Sequence, residues 1–506
     1  MPSTHVHVDP PAAGPVRSAQ AVHRWWALVV IGLAQLMVVL DNTIVTIALP
    51  SAQQDLHFTT GDRQWIVTAY ALAFGSLLLL GGRLADLFGR KRTFVIGMIG
   101  FAVASAAGGA ATSFTMLVTA RTVQGAFGAL LAPAALSLLT TTFTDRKDRA
   151  RAFGVYGAIV GSGAAIGLLL GGLLTEYATW RWTLYVNDVI AIVALAGAIV
   201  FLPRSVAAGR ARLDVPGVVL VSAGLFCLVY GFASAETHSW GSPVVWGFLA
   251  AAVVLLVAFF LWQARARSPL LPLRVLADRD RGAALISVLT VAAATFGVFL
   301  FLSYYLQGTL GYSPLRSGLA FLPLVGMLMV VAQLATNWLA PRLGPKVVVP
   351  VGLLLAATGT IGLTGLGQHS AYAAHLLAPL LLIGAGMGLS MPTAISRVTL
   401  GVATADQGVA SATVNSTQQI GGSVSVALLN TLAVSAAVNY TQSHPTDPLV
   451  QANAAIHSYA TAYWWSAGGV LLGALVTAIL FRPKGASRPV VAAVRADLVP
   501  SPKRTV

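Results

Sequence analysis

The sequence predicts an all-α integral membrane protein in which two six-helix bundles flank two inserted helices, fourteen spans in all. Three observations predict it. Hydrophobic residues make up 57% and charged residues 9% of the 506, with mean hydropathy +0.79. That is too little charge to cover a soluble globule of this size. Apolar stretches of the roughly 20 residues that one hydrocarbon crossing needs recur from Trp26 to Phe481, separated by short polar breaks. The 31 Lys and Arg are also sorted by side: Arg63, Arg181 and Arg316 fall in odd-numbered loops and Arg121 in a span, which leaves 27 in the two tails and the even-numbered loops. This bias places both termini in the cytoplasm and explains the net charge of +15 without nucleic-acid binding.

The elements follow in order. Residues 1–24, with Pro11, Pro15 and Ser18, lack apolar periodicity and read as a disordered cytoplasmic tail. Span 1, 26–48, is full length with no small-residue cleavage site after it, so it is read as a helix and not as a removed signal peptide. Spans at 64–83, 93–111, 116–140, 151–175 and 182–202 complete an amino-terminal bundle over 25–203. Spans at 215–235 and 243–263 form the inserted pair, within 204–264; the single cysteine, Cys227, lies mid-span there and reads as a small packing residue. Spans at 283–307, 316–340, 347–366, 374–396, 408–436 and 461–482 form the second bundle, over 265–482. Residues 483–506 read as a second disordered cytoplasmic tail.

The two bundles carry a faint internal repeat. Leu84-Ala85-Asp86-Leu87-Phe88-Gly89-Arg90-Lys91 after span 2 matches Leu339-Ala340-Pro341-Arg342-Leu343-Gly344-Pro345-Lys346 after span 10 at four of eight positions, an offset of 339 − 84 = 255. Gly125, Pro133 and Ala135 of span 4 recur as Gly384, Pro392 and Ala394 of span 12, an offset of 384 − 125 = 259. Near-equal offsets point to repeated halves with spans 7 and 8 inserted between them.

Charges within hydrocarbon are the most informative residues, because each costs ~2.5–3.5 kcal/mol at a helix centre on the insertion scale. At a rise of 1.5 Å per residue, Asp41 lies about 10 Å from the outer end of span 1 and Arg121 roughly 8 Å below that of span 4. An acid and a base at equal depth can pair across a water-filled cavity as a proton relay, or can form a fixed pair that locks helices 1 and 4. Asp188 reads as a headgroup-level residue, and Glu176 and Glu236 as solvated helix ends.

In the loop after span 2, Gly82 and Gly89 permit a tight turn around Asp86, with Arg90 and Lys91 beside it. Asp86 can answer a helix amino terminus or a neighbouring base and so serve as a gate latch, or the loop can be a solvated topology anchor. In span 5, Gly163, Gly167, Gly171 and Gly172 let another backbone approach closely, as a sliding surface or as static packing. Trp65, Tyr70, Phe74, Phe299, Phe301, Tyr304, Tyr305 and Met327 are candidates for a cavity that takes apolar or cationic molecules, set against the ordinary role of aromatic residues in core or at lipid. The nine His show no ligand spacing, so no metal site and no catalytic residue is expected. No loop ends in Gly-Lys-Ser/Thr as an ATP-driven pump would need.

With these residues in view, the chain resembles the fourteen-helix drug/proton antiporter family of the major facilitator superfamily. Leu40–Pro50 (LDNTIVTIALP) resembles its helix 1 signature, Gly82–Arg92 the loop signature of the superfamily, Arg121-Thr122-Val123-Gln124-Gly125 the helix 4 signature, and Gly161–Gly172 with Trp180-Arg181-Trp182 the helix 5 antiporter signature. The resemblance implies Asp41 as a proton-coupling carboxylate, Arg121 as part of proton transfer, Asp86 as an interdomain latch, and the helix 5 glycines as an antiporter packing surface. Gly167-Leu168 stands where that signature reads Gly-Pro, and Asp188 and Val189 follow Asn187 where the family has an apolar residue and Pro.

The expected function is proton-coupled export of drugs, antibiotics or related hydrophobic or cationic small molecules by alternating access. It needs no cofactor and no ATP, only the proton motive force. The alternative is a dedicated exporter of one endogenous metabolite or lipid-like compound; a membrane-embedded enzyme or sensor has no metal cluster to support it. Abundant Ala, Gly, Val and Arg suit a GC-rich bacterial genome and hence a bacterial plasma membrane.

Overall fold

A computed structural model describes residues 15–59, 62–143, 145–202, 214–238, 240–266, 269–271, 278–399 and 407–482. The second tail, 483–506, and the loop bases Arg204, Arg210, Arg212, Arg267 and Arg274 lie outside them. The described residues form fourteen helical elements and no strand. In the first bundle these are α1 (Pro15–Leu56), α2 (Arg63–Phe88), α3 (Arg90–Gly109), α4 (Phe114–Thr142), α5 (Arg146–Tyr177) and α6 (Trp182–Phe201). The pair α7 (Val215–His238) and α8 (Pro243–Arg265) follows. The second bundle has α9 (Arg279–Thr309), α10 (Pro314–Leu343), α11 (Pro345–Gly365), α12 (Tyr372–Thr399), α13 (Gln407–Ser443) and α14 (Val450–Leu480). Twelve are long and apolar enough to cross a membrane; α2 and α5 hold shorter apolar stretches, Trp65–Leu78 and Ala165–Tyr177, within helices of 26 and 32 residues. Loops after odd-numbered helices share one face, called here the odd face, and those after even-numbered helices the other, the even face.

Some boundaries depart from expectation: α1 continues past residue 48 to Leu56, and α14 begins at Val450 and not at 461. The chain turns helical at Pro15, inside the stretch expected to be a disordered tail up to residue 24; proline suits a first helical turn, where its missing N–H has no partner to lose.

The helices stop and start for local reasons. Ser113, Ser242, Asp278 and Ser313 cap α4, α8, α9 and α10 by accepting a backbone N–H of the first turn. Gly89 (φ 91°) between α2 and α3 and Gly344 (φ 78°) between α10 and α11 both lie in the left-handed region, which residues with a Cβ resist. The repeat read from sequence thus has a backbone counterpart at its loop. It has another in the packing: a Cβ on Gly125 of α4 would strike the carbonyl of Tyr70 on α2, and one on Gly384 of α12 would strike that of Leu324 on α10. In both bundles the helix pair closes onto bare backbone.

The inserted pair packs between the bundles. Val221, Leu225 and Phe259 share a cluster with Leu72 of α2 and Ile420 of α13. Buried Asp214 clamps the pair at the even face, accepting from Trp262 Nε1 (2.7 Å), Gln263 Nε2 (2.6 Å) and the N–H of Gly217 (3.0 Å). Cys227, on α7, is half-buried.

Two hydrophobic cores divide the rest. One runs through the second bundle and continues into the odd-face half of the first, joining Leu40, Ile44 and Ile47 of α1 to Phe301, Phe321 and Leu324. The other fills the even-face half of the first bundle alone, around Met37, Tyr70, Phe94, Phe101 and Phe143. The bundles therefore share core on the odd-face side. Outward, α6 and α8 expose Ile192, Val193, Ile199, Val253, Val254 and Phe260, a surface suited to hydrocarbon and not to water.

Candidate functional site

The even-face core of the first bundle is topped by a polar cluster. On α1, Asn42, Thr43 and Thr46 turn their side chains back onto the carbonyls of Val38, Leu40 and Asn42, and Asp41 faces inward, fully buried. Arg121 of α4 is 2% exposed and places Nη1 2.6 Å from Asp41 Oδ2. The acid and base, expected either to pair across a water-filled cavity or to form a fixed pair, are thus in direct contact. Gln124, one turn along α4, donates from Nε2 to Asp41 Oδ1 (2.9 Å), and Asn187 of α6 donates from Nδ2 to the same oxygen (2.9 Å).

A second shell of contacts fixes these donors. Arg121 Nη1 donates to Gln124 Oε1 (2.6 Å), its Nε to the carbonyl of Ile66 (3.3 Å), and its guanidinium lies 4.3 Å from the centre of the Tyr70 ring. Ser105 of α3 accepts from Gln124 (3.1 Å) and Asn187 (3.0 Å) and donates to the carbonyl of Leu184 (2.9 Å). Five helices, α1 to α4 and α6, thus meet through one carboxylate.

A carboxylate oxygen has two lone-pair sites. Oδ1 has two donors and Oδ2 has one, Arg121. The remaining lone-pair site of the carboxylate is thus on Oδ2, beside the guanidinium, at the 2.6 Å contact.

Sequence reading reached Asp41 and Arg121 but assigned nothing to Ser105, Gln124 or Asn187. The spacing of Gln124 three residues after Arg121 was the one signal available, since i and i+3 share a helix face. Asp188, its neighbour Asn187 being the inward residue, is half-buried.

The other expected residues are placed as follows. Gly163, Gly167 and Gly171 of α5 lie against α1, where a Cβ would meet Val39 (2.8 Å), the Thr43 hydroxyl and the Ile44 carbonyl (2.9 Å); Gly172 faces α10, 2.6 Å from Leu315 Cα by the same measure. Gly82 lies in ordinary contact with Pro133. Arg90 opens α3, and Lys91 Nζ donates to the carbonyls of Ile199 (3.1 Å) and Leu202 (2.7 Å), closing the end of α6. Asp86 lies on α2, its side chain outside the described residues, as are the side chains of Arg146, Lys147, Arg149 and Glu236. Glu176, exposed as expected, also accepts the N–H of Leu315 (3.0 Å) across the bundles.

Among the aromatic candidates, Tyr70 and Phe74 stack in the even-face core (5.8 Å). Trp65 packs on Tyr230 of α7 (6.0 Å), and buried Tyr305 donates to the carbonyl of Gly367 (2.7 Å). Phe299 packs on Phe321 (4.9 Å), and Met327 is half-buried on α10. Tyr304 and Phe301 line an 840 Å³ cavity at the odd face. In the second bundle, buried Asp280 pairs with Arg397 (2.6 Å) and accepts the N–H of Arg482 (2.9 Å), tying α9, α12 and the end of α14 at the even face; it lies just outside span 283–307, where a loop acid is ordinary. No group of three or more metal-ligating side chains occurs among the described residues.

Comparison with known proteins agrees with this architecture. The family model described as Major Facilitator Superfamily matches residues 31–426. A puromycin resistance protein of Streptomyces alboniger is 49% identical over 93% of this chain and 94% of its own length. A cephamycin export protein of Amycolatopsis lactamdurans is 40% identical over 80% and 84%, and a tetracenomycin C resistance and export protein of Streptomyces glaucescens 36% identical over 86% and 80%. Among solved structures, an auto-inhibited POT family peptide transporter superposes with TM-score 0.67 over 93% of this chain and 99% of that one, at 17% identity, a likeness of fold alone. With matches along nearly its whole length and the bundle architecture they imply, this chain belongs to the Major Facilitator Superfamily of membrane transporters.

Proposed function

We propose that this transporter is a proton-coupled exporter of antibiotic-like small molecules that works by alternating access, with its termini in the cytoplasm and its odd face outside. The observation that carries the reading is the fully buried Asp41, held by Arg121, Gln124 and Asn187 from two other helices. Intramembrane charges are functional by default. Protonation on Oδ2 weakens the tie between α1 and α4. Five and six residues further along α1, the carbonyls of Thr46 and Ile47 accept from Ser303 (3.4 Å) and Gln307 (3.1 Å) of α9. A shift of α1 is thus felt at the seam between the bundles. Inward proton movement supplies ~2.3 kcal/mol per charge per 100 mV, so the cycle needs no nucleotide, and the gate residues Asp86, Arg90 and Lys91 sit at the even-face end of the same bundle.

Each of the three relatives carries a single compound in its name, which supports a narrower cargo reading beside the broad one. Export of one scaffold is the second reading, and a resistance panel of unrelated compounds separates it from multidrug export. The coupling is tested in inverted vesicles with an imposed proton gradient and puromycin as probe, comparing the native chain with Asp41→Asn. Gradient-driven uptake lost in the variant, with downhill exchange retained, supports the proposal; undiminished driven uptake removes Asp41 from coupling.

A further inference from the structure

Charge pairing at the odd face is uneven. Of its described carboxylates, Asp55 accepts from Arg181 (2.8 Å) and Trp180 (2.9 Å), Asp62 from the Thr59 hydroxyl (2.7 Å), Glu176 from the N–H of Leu315 (3.0 Å), and Asp447 from Asn453 (2.7 Å) and the N–H of Leu449 (2.8 Å). Arg181 is thereby paired. The face's other two bases, Arg63 and Arg316, have no carboxylate within ion-pair distance among the described residues. Each guanidinium lies over a phenol ring, Arg63 4.5 Å from the centre of Tyr304 and Arg316 3.9 Å from that of Tyr312, and Arg63 Nε also donates to the neutral Gln53 Oε1.

Both stacked pairs wall one recess. Cavities of about 840 and 890 Å³ share Gly308, Tyr312, Gln451, Ala455 and Tyr459; the first is walled by Arg63 and Tyr304 where the bundles meet, the second by Arg316 and Tyr372. Among the described residues no Asp or Glu lines either. Two guanidinium groups left uncompensated in a recess with aromatic walls concentrate positive potential there. Their forked N–H donors match a carboxylate, and the ring faces accept a flat apolar body.

We infer that this odd-face recess is a ligand site of its own, apart from the Asp41 cluster, that takes a small aromatic molecule bearing a carboxylate. On the export reading above, and resting on it for direction only, the recess is where acidic cargo pauses before release. A molecule with a fixed positive charge is disfavoured at the same place.

The test is equilibrium dialysis of radiolabelled benzoate against the purified full chain in phosphatidylcholine nanodiscs. No proton gradient is present, so failure of proton coupling leaves the result untouched. Saturable binding is expected that benzamide, the neutral isostere, does not displace. Arg63→Gln and Arg316→Gln should each weaken it about tenfold, the worth of one charge-assisted contact, while the even-face control Arg342→Gln leaves it unchanged. Arg63→Lys and Arg316→Lys, which keep the charge but not the fork, guard against misfolding: intermediate affinity supports the site. Benzoate binding indifferent to both glutamine variants, or displaced equally by benzamide, overturns it. If phosphatidylglycerol in the nanodisc abolishes benzoate binding through the same arginines, the occupant is a lipid headgroup and the small-molecule assignment falls.

Discussion

At the scale of single residues, the Asp41–Arg121 pair sets the energetics of the first bundle. Taking two charges out of water is costly, and removing one partner leaves the other buried and uncompensated, typically a loss of ~3–5 kcal/mol. Arg121→Leu should therefore destabilise the protein by about that amount, read as a lowered unfolding temperature in detergent. Adding Asp41→Asn to it should restore most of the loss, because no buried charge then remains; a double variant as unstable as the single one would mean that the arginine acts through its Tyr70 contact alone. Asn187→Leu removes one of two donors on Oδ1 and should cost ~1–3 kcal/mol by the same measurement. These two charges were legible in the sequence because charge inside an apolar span is rare and expensive. Their partners were not. Small polar residues such as serine are ordinary at membrane-helix interfaces, and whether Asn187 or Asp188 turns inward depends on helix phase, which one residue changes by about 100°.

At the scale of elements, close helix approach governs what can move. All fourteen helices were legible from the apolar pattern, twelve of them long and apolar enough to cross a membrane, and the repeat from two short matches, because length and periodicity are properties of the chain itself. What the spans touch was not legible: the α5 glycines allowed either a sliding surface or fixed packing, and only the fold divides them between α1 and α10. Gly172 meets α10 of the other bundle, and a Cβ there would come within 2.6 Å of Leu315 Cα, so Gly172→Val has to push the bundles apart at the odd face. The expected outcome is strongly reduced transport with little change in unfolding temperature, while Gly247→Ala on α8, where nothing lies within 4 Å, leaves transport intact. Equal transport by both variants would show that the α5–α10 contact is dispensable. Gly89→Ala tests the other glycine role. Forcing a Cβ into the left-handed region costs roughly 1–2 kcal/mol, and the loss should appear as earlier thermal unfolding.

At the scale of the whole molecule, the two cores have different consequences. The even-face core belongs to the first bundle alone and moves with it, whereas the odd-face core is shared and has to part if the bundles rock. The edges of that seam carry polar contacts: Glu176 on the amino terminus of α10, Ser303 and Gln307 on α1 carbonyls, Arg63 on Tyr304. Each is individually weak in a hydrated rim, which suits a closure that must be reversible, since a seam worth many kcal/mol would hold one state permanently. If transport requires the seam to open, joining it covalently stops the cycle without disturbing either bundle. In a Cys227→Ser background, Glu176→Cys with Leu315→Cys treated with a short reducible bis-thiol cross-linker should abolish puromycin transport, and a reductant should restore it. Either single-cysteine variant should transport normally under the same treatment. Full transport by the cross-linked double variant would mean that the odd-face seam stays closed throughout the cycle, and the route for cargo would then have to lie elsewhere, along the faces where α7 and α8 meet α2 and α13.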